Sequence, residues 1–391
     1  MFRIQTMNKI SSLGLELFPR GKYEVASEIP HPDAILVRSA DLHAVEIPQS
    51  VLAVARAGAG YNNIPVNACS ARGIAVFNTP GGNANAVKEL VLAALLISSR
   101  NILGGVNWGA SLAGKSDEVP DLVEKEKSRF EGPELRGKTL GIVGLGAIGV
   151  MVANDAVALG MDVIGYDPYI SVDAAWNLSR QVIRADTLEG LLSKADYVTL
   201  HMPLSDETKG LLNAEKLRFM KKGARIVNLA RGGLVNEADI IDALNSKKLS
   251  VYVTDFPSAE LLACPSAVCI PHLGASTPEA EDNCAIMAVR QLMDYLESGT
   301  VRNSVNFPKC RLEQHSPFRL LVVNRNIPNM VGQITTILAE ENNNILDLIN
   351  HHRDDYAYNI IDTEQRIPEN TLERLLAVEG IIRVRELEQG G

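Results

Sequence analysis

The sequence predicts an α/β protein with two doubly wound, Rossmann-like parallel sheets and a small C-terminal unit of the ferredoxin-like βαββαβ type. Short apolar segments rich in β-branched residues alternate with helical periodicity over most of the first 300 residues. A glycine-rich turn between an apolar strand and a helix lies at residues 144–149. Beyond residue 317 the predicted order changes to β, α, β, β, α, β. Strands that alternate with helices pair in parallel, which gives the two larger sheets.

The first unit precedes the glycine-rich turn and is therefore distinct from the unit that contains it. Residues 34–37, 51–55 and 74–78 are predicted as buried strands. A long helical pattern over 279–296 can return the chain to this unit, so the first domain is predicted to be discontinuous. The predicted boundaries are 1–98 with 286–310 for a substrate-binding domain, 99–285 for a dinucleotide-binding domain, and 316–391 for a C-terminal domain.

The middle of the chain alternates most regularly, and the C-terminal unit follows a linker at 303–317 that is rich in Asn, Pro, Gln and Ser. The predicted strands are 140–143, 162–166, 197–200, 225–229 and 250–254 in the middle, and 318–323, 345–350, 356–361 and 381–384 near the C-terminus. The predicted helices are 147–159, 188–193, 214–221, 237–247, 330–342 and 369–377.

Composition restricts the class of partner. The 391 residues carry a net charge of −9, which disfavours nucleic acid and anionic membrane surfaces as partners. The cysteines are odd in number and lack the close pairs of a metal or redox motif, so they are predicted to be free thiols, with no metal site; they are Cys69, Cys264, Cys269, Cys284 and Cys310. Neither a signal peptide nor a membrane-spanning run is expected, and the predicted location is the cytoplasm.

The turn at residues 144–149 has the form of a dinucleotide-binding fingerprint. Gly144 allows the tight turn, Gly146 lets the backbone approach a pyrophosphate, and Gly149 allows the helix to pack closely on the strand. The helix that follows offers free amides to the phosphates. Asp167 ends the next strand, where its carboxylate can bond a ribose diol and repel a 2′-phosphate, so NAD is predicted as the cofactor in preference to NADP. The alternative is a purely structural glycine turn.

Three polar residues follow predicted strands and together suit hydride transfer at a secondary alcohol. Arg231 can hold a substrate carboxylate and polarise the reacting oxygen. His272 can accept the hydroxyl proton. Glu260 can orient the imidazole and favour its protonated form. Taken singly, the alternatives are a salt-bridged arginine, a loop histidine and a surface acid.

Five segments resemble the D-isomer-specific 2-hydroxyacid dehydrogenase family, and within it the branch that oxidises 3-phospho-D-glycerate. The segments are residues 56–64, 78–83, 137–149, 228–233 and 271–277. The resemblance implies NAD-dependent oxidation of 3-phospho-D-glycerate to 3-phosphohydroxypyruvate, the first step of L-serine biosynthesis. The alternatives are another D-2-hydroxyacid dehydrogenase, such as a hydroxypyruvate or glyoxylate reductase, and a non-catalytic NAD-sensing scaffold.

The resemblance also implies roles for individual residues. Arg231, Glu260 and His272 are implied as the catalytic set, and Arg38, Arg56, Arg231 and His272 as contacts to the substrate. The implied contacts to NAD are Thr79, Gly144, Gly146, Ala147, Ile148, Gly149, Asp167, Met202, Leu229, Ala230, Arg231, Asp255, His272, Gly274 and Ala275. Met202 and Lys88 stand where relatives commonly have small residues.

The C-terminal unit resembles the ACT regulatory domain. Asn324, Asn326 and Asn344 match or stand at positions that bind L-serine across a pair of such domains, with Asn324 in the place of a usual histidine. The resemblance therefore implies L-serine as a possible effector and a homo-oligomer as the assembly. The alternative is that these asparagines simply form turns.

Overall fold

The computed structural model describes residues 1–388; the last three residues of the predicted C-terminal domain, 389–391, lie outside the described part of the chain. The strands β1 to β16 are Phe2–Met7, Tyr23–Ala26, Ala34–Val37, Ala53–Arg56, Ala75–Phe77, Thr139–Val143, Asp162–Tyr166, Ile183–Arg184, Tyr197–Leu200, Ala224–Asn228, Leu249–Thr254, Ala267–Cys269, Phe318–Arg325, Ile345–Arg353, Tyr356–Thr363 and Ile381–Glu388. The helices α1 to α14 are Ser12–Leu15, Val66–Ala71, Ala84–Ser99, Ile102–Ala110, Val119–Glu126, Ala147–Ala158, Val172–Trp176, Leu188–Lys194, Ala214–Phe219, Glu237–Asn245, Ala259–Leu262, Pro278–Ser298, Met330–Glu340 and Glu369–Leu376.

The chain divides into two compact units, and each is described by itself. The first unit contains residues 1–83 and the residues from Pro278 onward, and the second contains Ala84–Thr277. Helix α3 thus groups with the second unit and α12 with the first, whereas the predicted boundaries place α3 almost wholly in the substrate-binding domain and divide α12 between two domains. The three-domain division with its boundaries stays a prediction.

The first unit contains a five-stranded parallel sheet in the order β2-β1-β3-β4-β5. Helix α12 lies against this sheet because its apolar residues recur at helical spacing on one face. Its buried residues in the shared core are Cys284, Ala285, Ala288, Val289, Leu292, Tyr295 and Leu296. The helix therefore returns to the N-terminal sheet, as its sequence pattern indicates.

The same unit holds the C-terminal βαββαβ segment as a four-stranded antiparallel sheet in the order β14-β15-β13-β16. Successive side chains of a β-strand point to opposite faces of the sheet, so neighbouring residues of β13 pack into different cores. Leu320 and Val322 pack with α13 and α14, while Leu321 and Val323 join the core formed around α12. The central strands β13 and β15 are therefore buried on both faces, whereas the outer strands β14 and β16 are partly exposed.

The second unit contains a seven-stranded parallel sheet in the order β12-β11-β10-β9-β6-β7-β8. The chain moves outward in both directions from β6, which places the glycine-rich turn at the point where the strand order reverses. The predicted α/β class, with two parallel sheets and a C-terminal antiparallel unit, is confirmed.

No single described helix has both the length and the apolar composition to cross a membrane. Helices α3 and α4 meet at a bend of 72°, and as a pair they are long and apolar enough to cross one by length and composition alone. Part of α3 is buried inside the second unit, where Val87, Val91 and Leu95 belong to its core.

Candidate functional site

The glycine-rich turn at the end of β6 has a backbone that only glycines can adopt. Gly144 has a φ of +95°, and a Cβ on it would lie 2.6 Å from the carbonyl oxygen of His201 on the neighbouring strand end. A Cβ on Gly149 would overlap the carbonyl oxygen of Gly144. These two glycines therefore set the approach of α6 to the sheet.

The N-terminus of α6 is open and suits an anionic ligand. Within the described residues no side chain caps this helix, and a Cβ on Gly146 would meet no atom within 4 Å. A cavity of about 500 Å³ adjoins this end; it is lined by Gly146, Ala147, Val150, Met151, Asn154, Ser171, Asp173, Ala174 and Asn177. Free helical amides, an open glycine and an adjoining cavity fit the pyrophosphate of a dinucleotide.

Asp167 lies beside the turn at the end of β7. One carboxylate oxygen accepts a hydrogen bond from the amide of Leu145 at 2.8 Å, and the other accepts from the amide of Tyr169 at 2.8 Å. These bonds fix the carboxylate at the sheet edge, where a ribose diol of NAD would be bound.

Lys88 receives a structural explanation. Its ammonium lies 2.9 Å from Asp155, and its side chain is mostly buried. The ion pair joins α3 to α6, the helix that begins at the glycine-rich turn. Lys88 therefore fixes the helix that carries the dinucleotide fingerprint.

The two glycine replacements G146A and G149A should separate cofactor binding from folding. We expect G146A to keep the melting temperature of the wild type but to raise the dissociation constant of NADH about tenfold or more, because its methyl group enters the open face. We expect G149A to lower the melting temperature by several degrees, because α6 must shift away from β6. Differential scanning calorimetry and NADH fluorescence titration check the pair, and equal behaviour of the two variants would contradict it.

Arg231 follows β10, in a loop whose backbone is hydrogen-bonded to the side chain of Asn228. Asn228 is buried, and its side-chain amide donates to the carbonyl oxygen of Arg231 at 2.9 Å, while its own oxygen accepts from the amide of Ala230 at 3.3 Å. The Arg231 side chain is exposed and donates to the carbonyl oxygen of Ala230 at 2.7 Å. Sequence reasoning missed Asn228, although an asparagine that ends a buried strand is a recognisable turn-forming signal.

His272 lies next to Asp255, which follows β11. The imidazole Nδ1 is 3.0 Å from Asp255 Oδ2; the carboxyl is buried, whereas the His272 side chain is 59% exposed. Burial raises the pKa of Asp255, and the charges of His272 and then Arg231 oppose that rise. The ring of Phe256 packs against the imidazole at a centroid distance of 4.9 Å. Asp255 and His272 are thus in contact, and the charge of Arg231 acts on the same carboxyl. Sequence reasoning missed the contact of Phe256 with the imidazole.

The structure does not bring Glu260 into the same contact. Glu260 lies in the first turn of the short helix α11, where its side chain is exposed, and within residues 1–388 no hydrogen bond joins it to His272. The role of Glu260 as the histidine partner therefore stays a prediction. In this structure Asp255 is the carboxylate next to the imidazole. His201 is a poor alternative base because burial lowers its pKa to about 4, and its Nε2 lies 3.0 Å from the hydroxyl of Thr199.

Several of the remaining predicted cofactor contacts of the second unit lie in the segments that follow β9, β10 and β12. Leu229 and Ala230 belong to the Arg231 loop, and Met202 is half-buried after β9. Gly274 is buried, and a Cβ on it would come within 3.9 Å of Asp255 Oδ2. Ala275 follows it in the same loop. Their contacts with NAD stay predictions.

The predicted substrate residues Arg38 and Arg56 lie in the first unit, at the ends of two neighbouring strands. Val37, the last residue of β3, is paired with Arg56, the last residue of β4, and Arg38 follows directly. The carboxyl ends of parallel strands meet at one edge of the sheet, so the two arginines share that edge. Thr79, the predicted cofactor contact of this unit, is fully buried, and its amide donates to the carbonyl oxygen of Gly58 at 3.1 Å.

The predicted effector residues lie at opposite ends of the C-terminal sheet. Asn344 precedes β14, whereas Asn324 and Asn326 lie at the far end of β13. Asn324 is buried and accepts a hydrogen bond from Asn359 at 2.7 Å, and the exposed Asn326 donates to the carbonyl oxygen of Asp354 at 3.1 Å. One copy of the domain therefore does not bring the three together, and an effector site across two copies stays a prediction.

The parallel sheet has a glycine-rich turn at its switch point, an open helix N-terminus and a histidine beside a buried carboxyl. Together these features define an α/β dinucleotide-binding domain of the dehydrogenase class. Residues 109–274 match the family model described as D-isomer specific 2-hydroxyacid dehydrogenase, NAD binding domain. Residues 109–274 thus form an NAD-binding domain of the D-isomer-specific 2-hydroxyacid dehydrogenase type, and NAD is the cofactor of this domain.

Relatives and solved structures agree with that family. The chain is 34% identical over 324 residues to D-3-phosphoglycerate dehydrogenase of Archaeoglobus fulgidus, covering 80% of this chain and 58% of that protein. It is 37% identical over 292 residues to the enzyme of the same name from Mycobacterium tuberculosis, covering 72% and 53%. The NAD+-bound 3-phosphoglycerate dehydrogenase of Entamoeba histolytica matches with a TM-score of 0.60 at 26% identity, covering 78% of this chain and 98% of that one. The chain spans about half to three fifths of the length of these curated relatives.

Proposed function

We propose that this protein is an NAD-dependent oxidoreductase that converts 3-phospho-D-glycerate to 3-phosphohydroxypyruvate, the reaction that begins L-serine biosynthesis. The observation that carries the proposal is the grouping of Arg231, His272 and Asp255 within the NAD-binding unit. The curated relatives, which bear the name of this activity, support the same substrate. Two further arginines at one sheet edge supply the extra positive charge that a phosphorylated substrate needs.

The chemistry divides among a few side chains. NAD held at the glycine-rich turn and Asp167 would supply the acceptor for the hydride that leaves C2 of the substrate. Arg231 holds the carboxylate and the C2 oxygen, since its planar fork suits bidentate contact. His272 removes the hydroxyl proton with Nε2 while Nδ1 faces a carboxylate. Asp255 would hold the nicotinamide carboxamide, and Glu260 would orient the imidazole during turnover.

Arg38 and Arg56 are proposed to read the phosphate end of the substrate. An NADH absorbance assay with phosphohydroxypyruvate, hydroxypyruvate and glyoxylate, each with and without L-serine, tests the substrate. We expect phosphohydroxypyruvate to have the highest kcat/KM. The variant R56A should raise the KM for phosphohydroxypyruvate about tenfold or more, because it loses a charge-assisted contact, and should change the KM for NADH little. Equal effects on both constants would contradict phosphate reading.

The same assay separates the rival functions. A preference for hydroxypyruvate or glyoxylate would indicate another D-2-hydroxyacid dehydrogenase, in which Arg38 and Arg56 have no phosphate to bind. NADH binding without turnover of any of the three substrates would indicate an NAD-sensing scaffold.

Assembly, effector and compartment are proposed as follows. A homo-oligomer is supported by the exposed apolar residues of α4, which are Ile102, Leu103 and Val106. An ACT identity for the C-terminal domain is supported by its βαββαβ order, and L-serine is the effector to test. The cytoplasm is supported by the five cysteines, all free in the structure.

A further inference from the structure

Arg38, one of the two arginines proposed to bind the substrate phosphate, forms an ion pair with Glu281. The proposed function assigns no role to the Glu281 carboxylate. Nη2 of Arg38 lies 2.5 Å from Oε1 of Glu281. Glu281 lies in the first turn of α12, within the same compact unit as Arg38. The side chains are 37% and 40% exposed, so the pair is within reach of solutes and exchanges partners readily.

The backbone around Arg38 is fixed independently of this pair. Oδ1 of Asn8 accepts hydrogen bonds from the amides of Ser39 at 3.2 Å and Ala40 at 2.5 Å. The side-chain amide of Asn63 donates to the carbonyl oxygen of Ala40 at 2.7 Å. Because these bonds hold the loop, a change at Glu281 alters the charge beside the guanidinium more than it alters the position of the loop.

The positive charges of Arg38 and Arg56 both act on the N-terminal part of α12. Cys284 lies three residues after Glu281, and its buried thiol has a pKa that burial raises and that Thr79, Arg56 and Arg38 lower in part. The positive fields of Arg56 and Arg38 therefore overlap at the start of this helix. A carboxylate in that place opposes any anion that the two guanidiniums attract.

We propose that Glu281 is an internal counter-ion that sets the affinity of the Arg38 and Arg56 site for the phosphate group of the substrate. The naming of the substrate phosphate rests on the proposed function. The anion must displace the carboxylate or bind beside it, so phosphorylated substrate and product both bind more weakly than they would at the same site without that carboxylate. Weaker binding of substrate and product favours product release, and uniform tight binding gains no rate once the enzyme is saturated.

The substitution E281Q tests the counter-ion, and E279Q is its matched control. Glutamine keeps an oxygen acceptor for Arg38 and removes the charge. Glu279 is an exposed acid of the same helical turn, so both variants lose one negative charge at the N-terminus of α12. We expect E281Q to lower the KM for 3-phosphoglycerate about threefold to tenfold and E279Q to change it by less than about twofold. For hydroxypyruvate, which has no phosphate, we expect neither variant to change kcat/KM by more than about twofold.

A second measurement does not depend on the reaction. Inorganic phosphate at pH 8 should raise the melting temperature of each form by mass action. The apparent dissociation constant of phosphate should be about threefold to tenfold lower for E281Q than for the wild type and E279Q, and R38A/E281Q should lose that gain. Equal phosphate affinity in E281Q and E279Q, or weaker affinity in E281Q, would overturn the counter-ion. If the wild type instead fails to use phosphorylated substrates, the proposed function fails while the phosphate titration still decides the role of Glu281.

Discussion

Turnover of the His272→Ala variant should fall by about 10² to 10⁴ while its dissociation constant for NADH stays within about twofold of the wild type. The imidazole is exposed on one side and fixed on the other by Asp255, 3.0 Å from Nδ1, and by the ring of Phe256. Removal of the ring leaves the hydroxyl proton without an acceptor. Stopped-flow oxidation of NADH with phosphohydroxypyruvate measures the chemical step, and NADH fluorescence measures binding.

The control for this experiment is His43→Ala, which removes an exposed histidine of a 3-10 turn in the first unit. It should leave turnover within about twofold of the wild type. If His272→Ala were no slower than this control, the imidazole would not be the proton acceptor.

Two companion variants, D255N and E260Q, identify the carboxylate that serves the imidazole during turnover. If Glu260 is the partner, E260Q should shift the pH profile of kcat, while D255N should chiefly raise the KM for NADH. If the Asp255 contact persists during turnover, D255N should shift the pH profile instead. The two carboxylates are therefore distinguished by whether each variant changes the pH profile of kcat or the KM for NADH.

The fold was predictable from sequence where periodicity is strong. Strands β6, β7 and β9 and helix α6 are nearly continuous apolar or regularly spaced segments, and the structure places them within one or two residues of their predicted bounds. Strand β1 was not predicted because polar residues interrupt it, and only Ile4 is fully buried. Strand β8 has two exposed residues and hence no hydrophobic signal. Strands of this kind form by pairing with their neighbours in the sheet, which the local sequence pattern does not encode.

The candidate site was predictable in its residue types and less so in its contacts. The sequence predicts Arg231, His272 and Asp255 as site residues, because each follows an apolar strand or matches a motif. The pairing of His272 with Asp255 was not predicted, because 16 residues separate them in sequence and the path of this segment depends on the packing of α11 and β12. The Arg38 to Glu281 pair spans 243 residues and follows only from the return of α12 to the first sheet.

The contacts that secure the C-terminal sheet to its own unit were also outside sequence reasoning. Arg319 of β13 and Asp362 of β15 are fully buried and bonded at two positions, at 2.7 and 2.9 Å. The third guanidinium nitrogen of Arg319, Nη1, donates at 3.0 Å to the carbonyl oxygen of Ser298 at the end of α12. An arginine in an apolar strand has no partner in the local pattern, since its carboxylate lies 43 residues away.

Loss of Arg319 should produce the largest stability change in the molecule. In R319A the carboxylate of Asp362 stays buried without a counter-charge, and we expect the free energy of unfolding of this unit to fall by about 3–5 kcal/mol. For a unit of this size the melting temperature should fall by about 10 °C. Calorimetry of the full chain measures it.

The double variant R319M/D362L separates charge from packing. It removes both charges and keeps apolar volume, so it should recover most of the lost stability, because two apolar groups can replace a buried ion pair at little cost. If the double variant were as unstable as R319A, the bond to Ser298 and the packing of the guanidinium would account for the effect. Recovery would instead show that the unpaired buried charge drives the loss of stability in R319A.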